Sequence, residues 1–207
     1  MKIEHFSKEG KHYANEDSLS VRQLASDRVV AVLADGMGGL CFGKMAADLI
    51  VDAISEYTST YLGQSSIQEL IGNALEYADA IIAQKSKETY SKIGAAVALV
   101  FIDGNIAHFT WLGNVRIYIS EEGKAKLLTA DHSLDAGYGK FLLTRCIKGK
   151  GVRADWPYQE ISVKAGSKLI LCTDGLYKQV GLTQLFTIAL PILEEFEDDA
   201  SIIRIEF

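Results

Sequence analysis

Two stretches of this sequence end an apolar run in an aspartate followed by glycine. VVAVLA runs into Asp35-Gly36, and KLILC runs through Thr173 into Asp174-Gly175. Two more acids stand beside strand-like segments. Asp17, in Asn15-Glu16-Asp17-Ser18, precedes the strand-like residues 19–22, and Asp198, with Asp199, precedes the closing SIIRIEF. A carboxylate at the end of a buried strand is costly unless its charge is compensated. No matching lysine or arginine accompanies these acids, so a cation is the candidate. An all-oxygen ligand set suits a hard ion, Mg²⁺ or Mn²⁺, better than zinc. The glycine after each aspartate lets backbone come close, and a glycine carbonyl could itself be a ligand. The competing reading is that Asp-Gly is simply a turn. Asp103 fits that reading, and Asp27, Asp48, Asp52 and Asp79 read as solvated surface acids. Spacing alone leaves convergence of the four open.

The elements that must position them follow from periodicity. Residues 28–34 read as a strand buried on both faces. The run Asp35-Gly36-Met37-Gly38-Gly39 can only be loop. From Met45 the apolar positions take helical spacing (Leu49, Ala53, Tyr57, Tyr61). After Gly63, Ser66 and Glu69 form a capping-box pattern ahead of a second amphipathic helix through Ile82. Strands return at 95–102, 106–112, 115–120 and 125–129, separated by Asp103-Gly104-Asn105, Gly113-Asn114 and Glu121-Glu122-Gly123-Lys124, which are hairpin turn chemistry. Residues 134–153 read as loop and 168–173 as a buried strand. A helical pattern over 182–193 contains Pro191, which should kink or split it, and the chain closes in a strand over 201–207. Two central helices bracketed by antiparallel strands give an α+β fold, and hairpins disfavour a parallel dinucleotide-binding sheet.

Composition narrows the functional classes. The net charge of −6 over 207 residues argues against a general nucleic-acid binder. No apolar run approaches the roughly 20 residues that span a bilayer, and MKIEHFSKEGKHY has no signal-peptide core. The expectation is a cytoplasmic protein without nucleic-acid or membrane partners, folded as one domain over 1–207. Three scattered cysteines, Cys41, Cys146 and Cys172, suit neither a disulfide framework nor a zinc site. Cys172 is expected to pack rather than react.

Taken in order, the motifs resemble those of the metal-dependent serine/threonine protein phosphatases, the PPM or type 2C family. Asn15-Glu16-Asp17-Ser18 resembles its NED segment, and Ala34 to Gly39 matches its bacterial ADGMGG form. Leu112-Gly113-Asn114-Val115-Arg116-Ile117-Tyr118 resembles the GDSR-x-Y turn, and Thr129-Ala130-Asp131-His132-Ser133 resembles T-x-DHS. Leu143-Thr144-Arg145 resembles LTR, Thr173-Asp174-Gly175-Leu176 matches (S/T)DGL, and Asp198-Asp199-Ala200-Ser201 resembles the closing DN/DD-x-T. The resemblance implies two antiparallel β-sheets sandwiched between helices, with two Mn²⁺ or Mg²⁺ ions at one end. It makes Asp35 a bridging ligand and adds the Gly36 carbonyl, Asp174 and Asp198 to the first shell, with Asp17 holding metal-bound water. Asp35 and Asp174 would then be catalytic. The implied reaction is hydrolysis of phosphoserine or phosphothreonine by a two-metal-activated water, on a phosphoprotein substrate that a serine/threonine kinase supplies.

Four positions depart from the family pattern. His12 stands where an arginine usually holds substrate phosphate; a histidine offers one donor per nitrogen and partial charge, so phosphate binding should weaken. The alternative is a strand-face histidine without a role. Asn114 and Lys178 replace two acids that hold a third metal in many relatives, so a third ion is expected to be absent. The flap between Ser133 and Leu142 is very short, which predicts an open, shallow site. Arg145, with Lys148, Lys150 and Arg153, could assist phosphate binding or form a solvated loop. These losses leave a second reading, a weakened phosphatase-like domain serving as a regulatory or phosphoprotein-binding module. A nucleotide-phosphate cradle at residues 35–39 lacks both the P-loop lysine and the dinucleotide fingerprint.

Overall fold

The computed structural model describes residues 1–11, 14–37, 42–137, 141–187 and 195–207, with Phe141 described by its backbone alone. Its centre is the pair β3 (Arg28–Met37) and β4 (Gly94–Asp103). Both strands are apolar at nearly every position because both of their faces are covered. Val30, Val32, Leu99 and Phe101 face α1 (Gly43–Thr60) and α2 (Ile67–Thr89). The alternate residues Ala31, Leu33, Ala98 and Val100 face a second sheet. Period-two alternation therefore separates two cores rather than core from water.

The first sheet has the order β10-β5-β4-β3-β2, with β2 at Asp17–Ala25, β5 at Ile106–Leu112 and β10 at Gln159–Ser162. The second has the order β1-β12-β11-β6-β7, formed by β1 (Lys2–Lys8), β6 (Arg116–Glu121), β7 (Lys124–Leu127), β11 (Lys168–Cys172) and β12 (Ala200–Glu206). All the pairings in both sheets are antiparallel. On the outer face of the second sheet, Ile170, Cys172 and Ile202 pack on Leu176, Leu185 and Phe186 from the short helices α3 (Asp174–Tyr177) and α4 (Leu182–Thr187). The layers run helix, sheet, sheet, helix.

Local chemistry sets the boundaries. Ser66 Oγ accepts the Glu69 N–H while Glu69 Oε2 accepts the Ser66 N–H, so the expected capping box starts α2. Glu122 and Gly123 both have positive φ, 51° and 76°, the form that closes a two-residue hairpin between β6 and β7.

Three departures from the sequence reading have physical reasons. β1 carries five polar residues in seven, yet its hydrogen bonds to β12 hold it at the sheet edge, where one side is open to water. Within the stretch read as loop, β8 (Ser133–Asp135) pairs with β9 (Phe141–Leu143) as a hairpin too short to show periodicity. Of the helical pattern over 182–193, α4 covers the beginning, and Pro191 lies outside the described residues.

Candidate metal centre

Asp17 is the first residue of β2, and its register partner on β3 is Asp35. Directly opposed residues on one sheet face stand about 5 Å apart at Cβ, so like charges there repel. Asp17 is only 1% exposed. Its Oδ2 accepts a hydrogen bond from Thr173 Oγ1 at 2.9 Å, and its Oδ1 is buried with no partner. Burial raises the Asp17 carboxyl to about 8, against the lowering hydrogen bonds of Ser201 and Thr173; the charges of Asp199 and Asp174 push the same way as burial. Burial also lifts half-buried Asp35 well above the carboxylate range, with Asp17, Asp174, Asp198 and Asp199 adding to it. Four acids thus act electrostatically on a fifth at one end of the sandwich, with too few cations among them.

The two glycines are explained by close approach rather than by unusual φ. A Cβ on Gly36 would be driven into the Gly43 carbonyl, and one on Gly175 into the Asp199 carbonyl. The Gly36 N–H donates to the Glu16 carbonyl at 3.3 Å. Gly36 therefore sits where the β3 end, the segment before β2 and the start of α1 meet.

Asp174 opens α3 directly after β11. One of its oxygens, Oδ2, accepts from Asn114 Nδ2 at 3.0 Å and from Lys178 Nζ at 2.7 Å. Asp35, Asn114, Asp174 and Lys178 line a cleft of about 530 Å³ together with Arg116, Asp131 and Tyr177. Arg116 grips Asp131 bidentately at 3.0 and 2.9 Å and lies over the Tyr177 ring at 3.9 Å, so its charge is already committed. Asp198 is exposed and opens instead on an adjoining cleft of about 460 Å³, with Glu16 and Glu197; Lys178 lines both clefts. Asp199, its neighbour, is turned to the backbone: it accepts the N–H groups of Gly10 at 2.8 Å and Glu16 at 2.6 Å.

The expected acids therefore gather at one end of the molecule, with Asp17, Asp35 and Asp174 on one side and Asp198 opening to the other. Among the described residues, no three histidine, cysteine or acidic side chains close tightly enough to hold one ion as they stand. The donor set nonetheless fits a divalent cation in kind and charge. The carboxylates and backbone carbonyls are hard oxygen donors, and Asp17 keeps an orphaned buried oxygen. Among the described residues no lysine or arginine forms an ion pair with the carboxylate of Asp17 or of Asp35 opposite it, Lys44 reaching only the Asp17 backbone carbonyl.

The structure places the other candidates elsewhere. Arg145 is paired with Asp155, through its carbonyl at 2.8 Å and its carboxylate at 2.7 Å. It lines a separate pocket of about 200 Å³ with Lys148, Lys150 and Arg153. His12 lies outside the described residues. Cys172 is fully buried, and burial raises its thiol pKa, in keeping with packing. Asp79 corrects the surface reading: it is 5% exposed, and its carboxylate accepts the N–H groups of Lys148, Gly149 and Gly151 at 3.2, 2.7 and 2.6 Å. Thr173 and Asp199 went unassigned in the sequence; the only signal was their place inside the TDG and DDAS motifs.

Residues 7–201 match the protein phosphatase 2C family. The chain belongs to that family. Among curated relatives, the serine/threonine protein phosphatase PstP of Mycobacterium tuberculosis is 27% identical over 178 residues, 78% of this chain and 33% of PstP. The protein phosphatase PhpP of Streptococcus pneumoniae is 24% identical over 90% of this chain and 84% of its own. The chain thus spans about a third of the length of PstP. The crystal structure of M. tuberculosis PstP superposes with a TM-score of 0.84 at 20% identity, covering 100% of this chain and 98% of that one. A PstP catalytic domain in complex with two manganese ions gives 0.80 at 22% identity, covering 98% and 96%. These structures establish that the type 2C fold is shared.

Proposed function

We propose that this chain is a Mg²⁺- or Mn²⁺-dependent phosphatase that hydrolyses phosphoserine or phosphothreonine in proteins. The observation that carries the reading is the opposed Asp17–Asp35 pair, with Asp17 buried and Asp35 half-buried, set at the end of the two sheets. Family membership and the two manganese ions bound by PstP support it. Asp35, Asp174, Asp198 and the Gly36 carbonyl would hold two ions, with Asp17 behind them. When bound, such ions clamp phosphoryl oxygens and lower the pKa of a water.

The chain's own residues do the rest. Thr173 donates to Asp17 Oδ2 and accepts the Ser201 N–H at 2.9 Å, fixing the rotamer of a carboxylate that would otherwise turn from its neighbours. Asp199 holds the backbone of Gly10 and of Glu16 against the centre, so the residue before Asp17 is anchored from the segment that leads into β12. Arg116 braces Asp131 at the cleft wall, and Tyr177 donates to the Asn114 carbonyl at 3.1 Å, steadying the turn that carries Asn114. The substrate is a phosphoprotein made by a serine/threonine kinase, and the cleft, lined on one side by Ser133 and Leu143 of the β8–β9 hairpin, admits an extended phosphopeptide.

The regulatory-module reading draws on two observations: Lys178 sits on Asp174, and Arg145 is held by Asp155. Hydrolysis of p-nitrophenyl phosphate with Mn²⁺, with Mg²⁺ and with chelator, beside Asp174→Asn, separates the two. Metal-dependent turnover lost in Asp174→Asn is the expected result; metal binding without turnover would give the regulatory reading instead.

A further inference from the structure

Asp174 is the acid of the centre with a cation in direct contact. Lys178 lies four residues on, past the single turn of α3, and its ammonium reaches Asp174 Oδ2 at 2.7 Å. Asn114 comes from the β5–β6 turn on the facing side and puts its amide N–H on the same oxygen at 3.0 Å. The amide orientation is forced, because a flipped Asn114 would set its oxygen against the carboxylate. Asn114 Oδ1 is left buried without a partner. One Asp174 oxygen thus carries two N–H donors, while Oδ1 is free of both. Lys178, Asn114 and Asp174 together are neutral, whereas acids at the first two positions would leave three negative charges there.

We propose that the Lys178 ammonium is a built-in cation of this centre. It occupies Asp174 Oδ2 with Asn114, leaves Oδ1 alone to face the metals, and limits the centre to two ions. The inference rests on the metal-dependent reading above and adds Lys178 as a positioning residue. Two consequences are physical. A fixed positive charge beside a divalent ion repels it, so the centre binds metal less tightly than its acids alone would allow. Lys178 is 57% exposed at its side chain, so the repulsion is screened by salt.

The test is Mn²⁺ binding by the whole chain, followed by calorimetry and by electron paramagnetic resonance of free Mn²⁺, at low and high ionic strength. The wild-type chain should bind no more than two ions. Lys178→Met should bind the same number severalfold more tightly, with the difference shrinking as salt rises. Lys178→Arg should resemble the wild type. Asn114→Asp combined with Lys178→Asp should take up one additional ion. Three ions in the wild type, or unchanged or weaker binding in Lys178→Met, would overturn the inference and leave the phosphatase reading standing. No Mn²⁺ binding at all would sink that reading first. Thermal melts establish that each variant is folded; should the double variant fail, Lys178→Met decides alone.

Discussion

Gly36 and Gly175 are positions beside the proposed centre where a single methyl group should do harm. Neither needs a positive φ; each is pressed against a carbonyl from another segment, Gly43 for the first and Asp199 for the second. Gly36→Ala should cost about 3 kcal/mol in urea denaturation, because the colliding atoms are backbone and cannot rotate away. The sequence showed these glycines but assigned them to ligand approach; the structure adds packing between segments, which no spacing rule reveals. Asp17 was legible as an acid beside a strand. Its pairing with Asp35 depends on the β2–β3 register, and the hydrogen bond to its other, satisfied oxygen comes from Thr173, 156 residues away.

At the scale of elements, turns and loops are held by groups that looked ordinary. His132 Nδ1 accepts the Gly113 N–H at 3.3 Å, and its ring stacks on Trp111 at 5.8 Å. Burial, with Arg145 nearby, lowers the His132 pKa below its usual 6.5, although Asp131 and Asp155 oppose this. A depressed histidine contributes stability that is complete above the unfolded-state value and is lost as pH falls through the folded one. The melting temperature should therefore drop more steeply between pH 7 and 5 in the wild type than in His132→Gln. His108, lowered by burial too, is present in both proteins and cancels. Asp79 likewise holds the 147–151 loop on α2. Asp79→Ala would strand three backbone N–H groups, and a loss of about 3 kcal/mol with faster amide exchange at Lys148, Gly149 and Gly151 is expected. The β8–β9 hairpin exposes the cross-strand pair Leu134 and Leu142, 64% and 63% accessible, while Ser133 and Leu143 line the cleft. Serine at both leucines should raise KM for a phosphopeptide and leave p-nitrophenyl phosphate kinetics alone. A shift in both would assign the hairpin to the fold of the site instead.

For the molecule as a whole, the metal reading predicts linkage between ion binding and stability. At Mn²⁺ concentrations of about 100 times Kd the native state gains about 2.7 kcal/mol. That corresponds to a rise of about 5–10 °C in melting temperature for a chain of this size, reversed by chelator. Asp17→Asn should shrink that rise. A melting curve indifferent to Mn²⁺ would contradict the proposed centre. The two long helices, the β3–β4 centre and the hairpin turns were readable because apolar period and turn chemistry are local. β1, β8, β9 and β10 were not, since short edge strands take their definition from partners distant in sequence.

The order of strands in the second sheet bears on how the protein is made. β2 through β5, with both long helices, are contiguous in sequence and complete the first sheet except for its β10 edge once residue 112 has emerged. The second sheet has β11 at its centre between β12 and β6, and β1 waits at the amino end for a partner that begins only at Ala200. During vectorial synthesis the first sheet with its helices can assemble while the inner face that β6, β11 and β12 will cover is still bare. The nascent chain then carries Asp17 and Asp35 face to face, well before Asp174 and Asp198 exist. On the proposed centre, ion capture would therefore be a closing event of biogenesis, and a ribosome stalled before residue 170 should display a chain that is half assembled and blind to manganese.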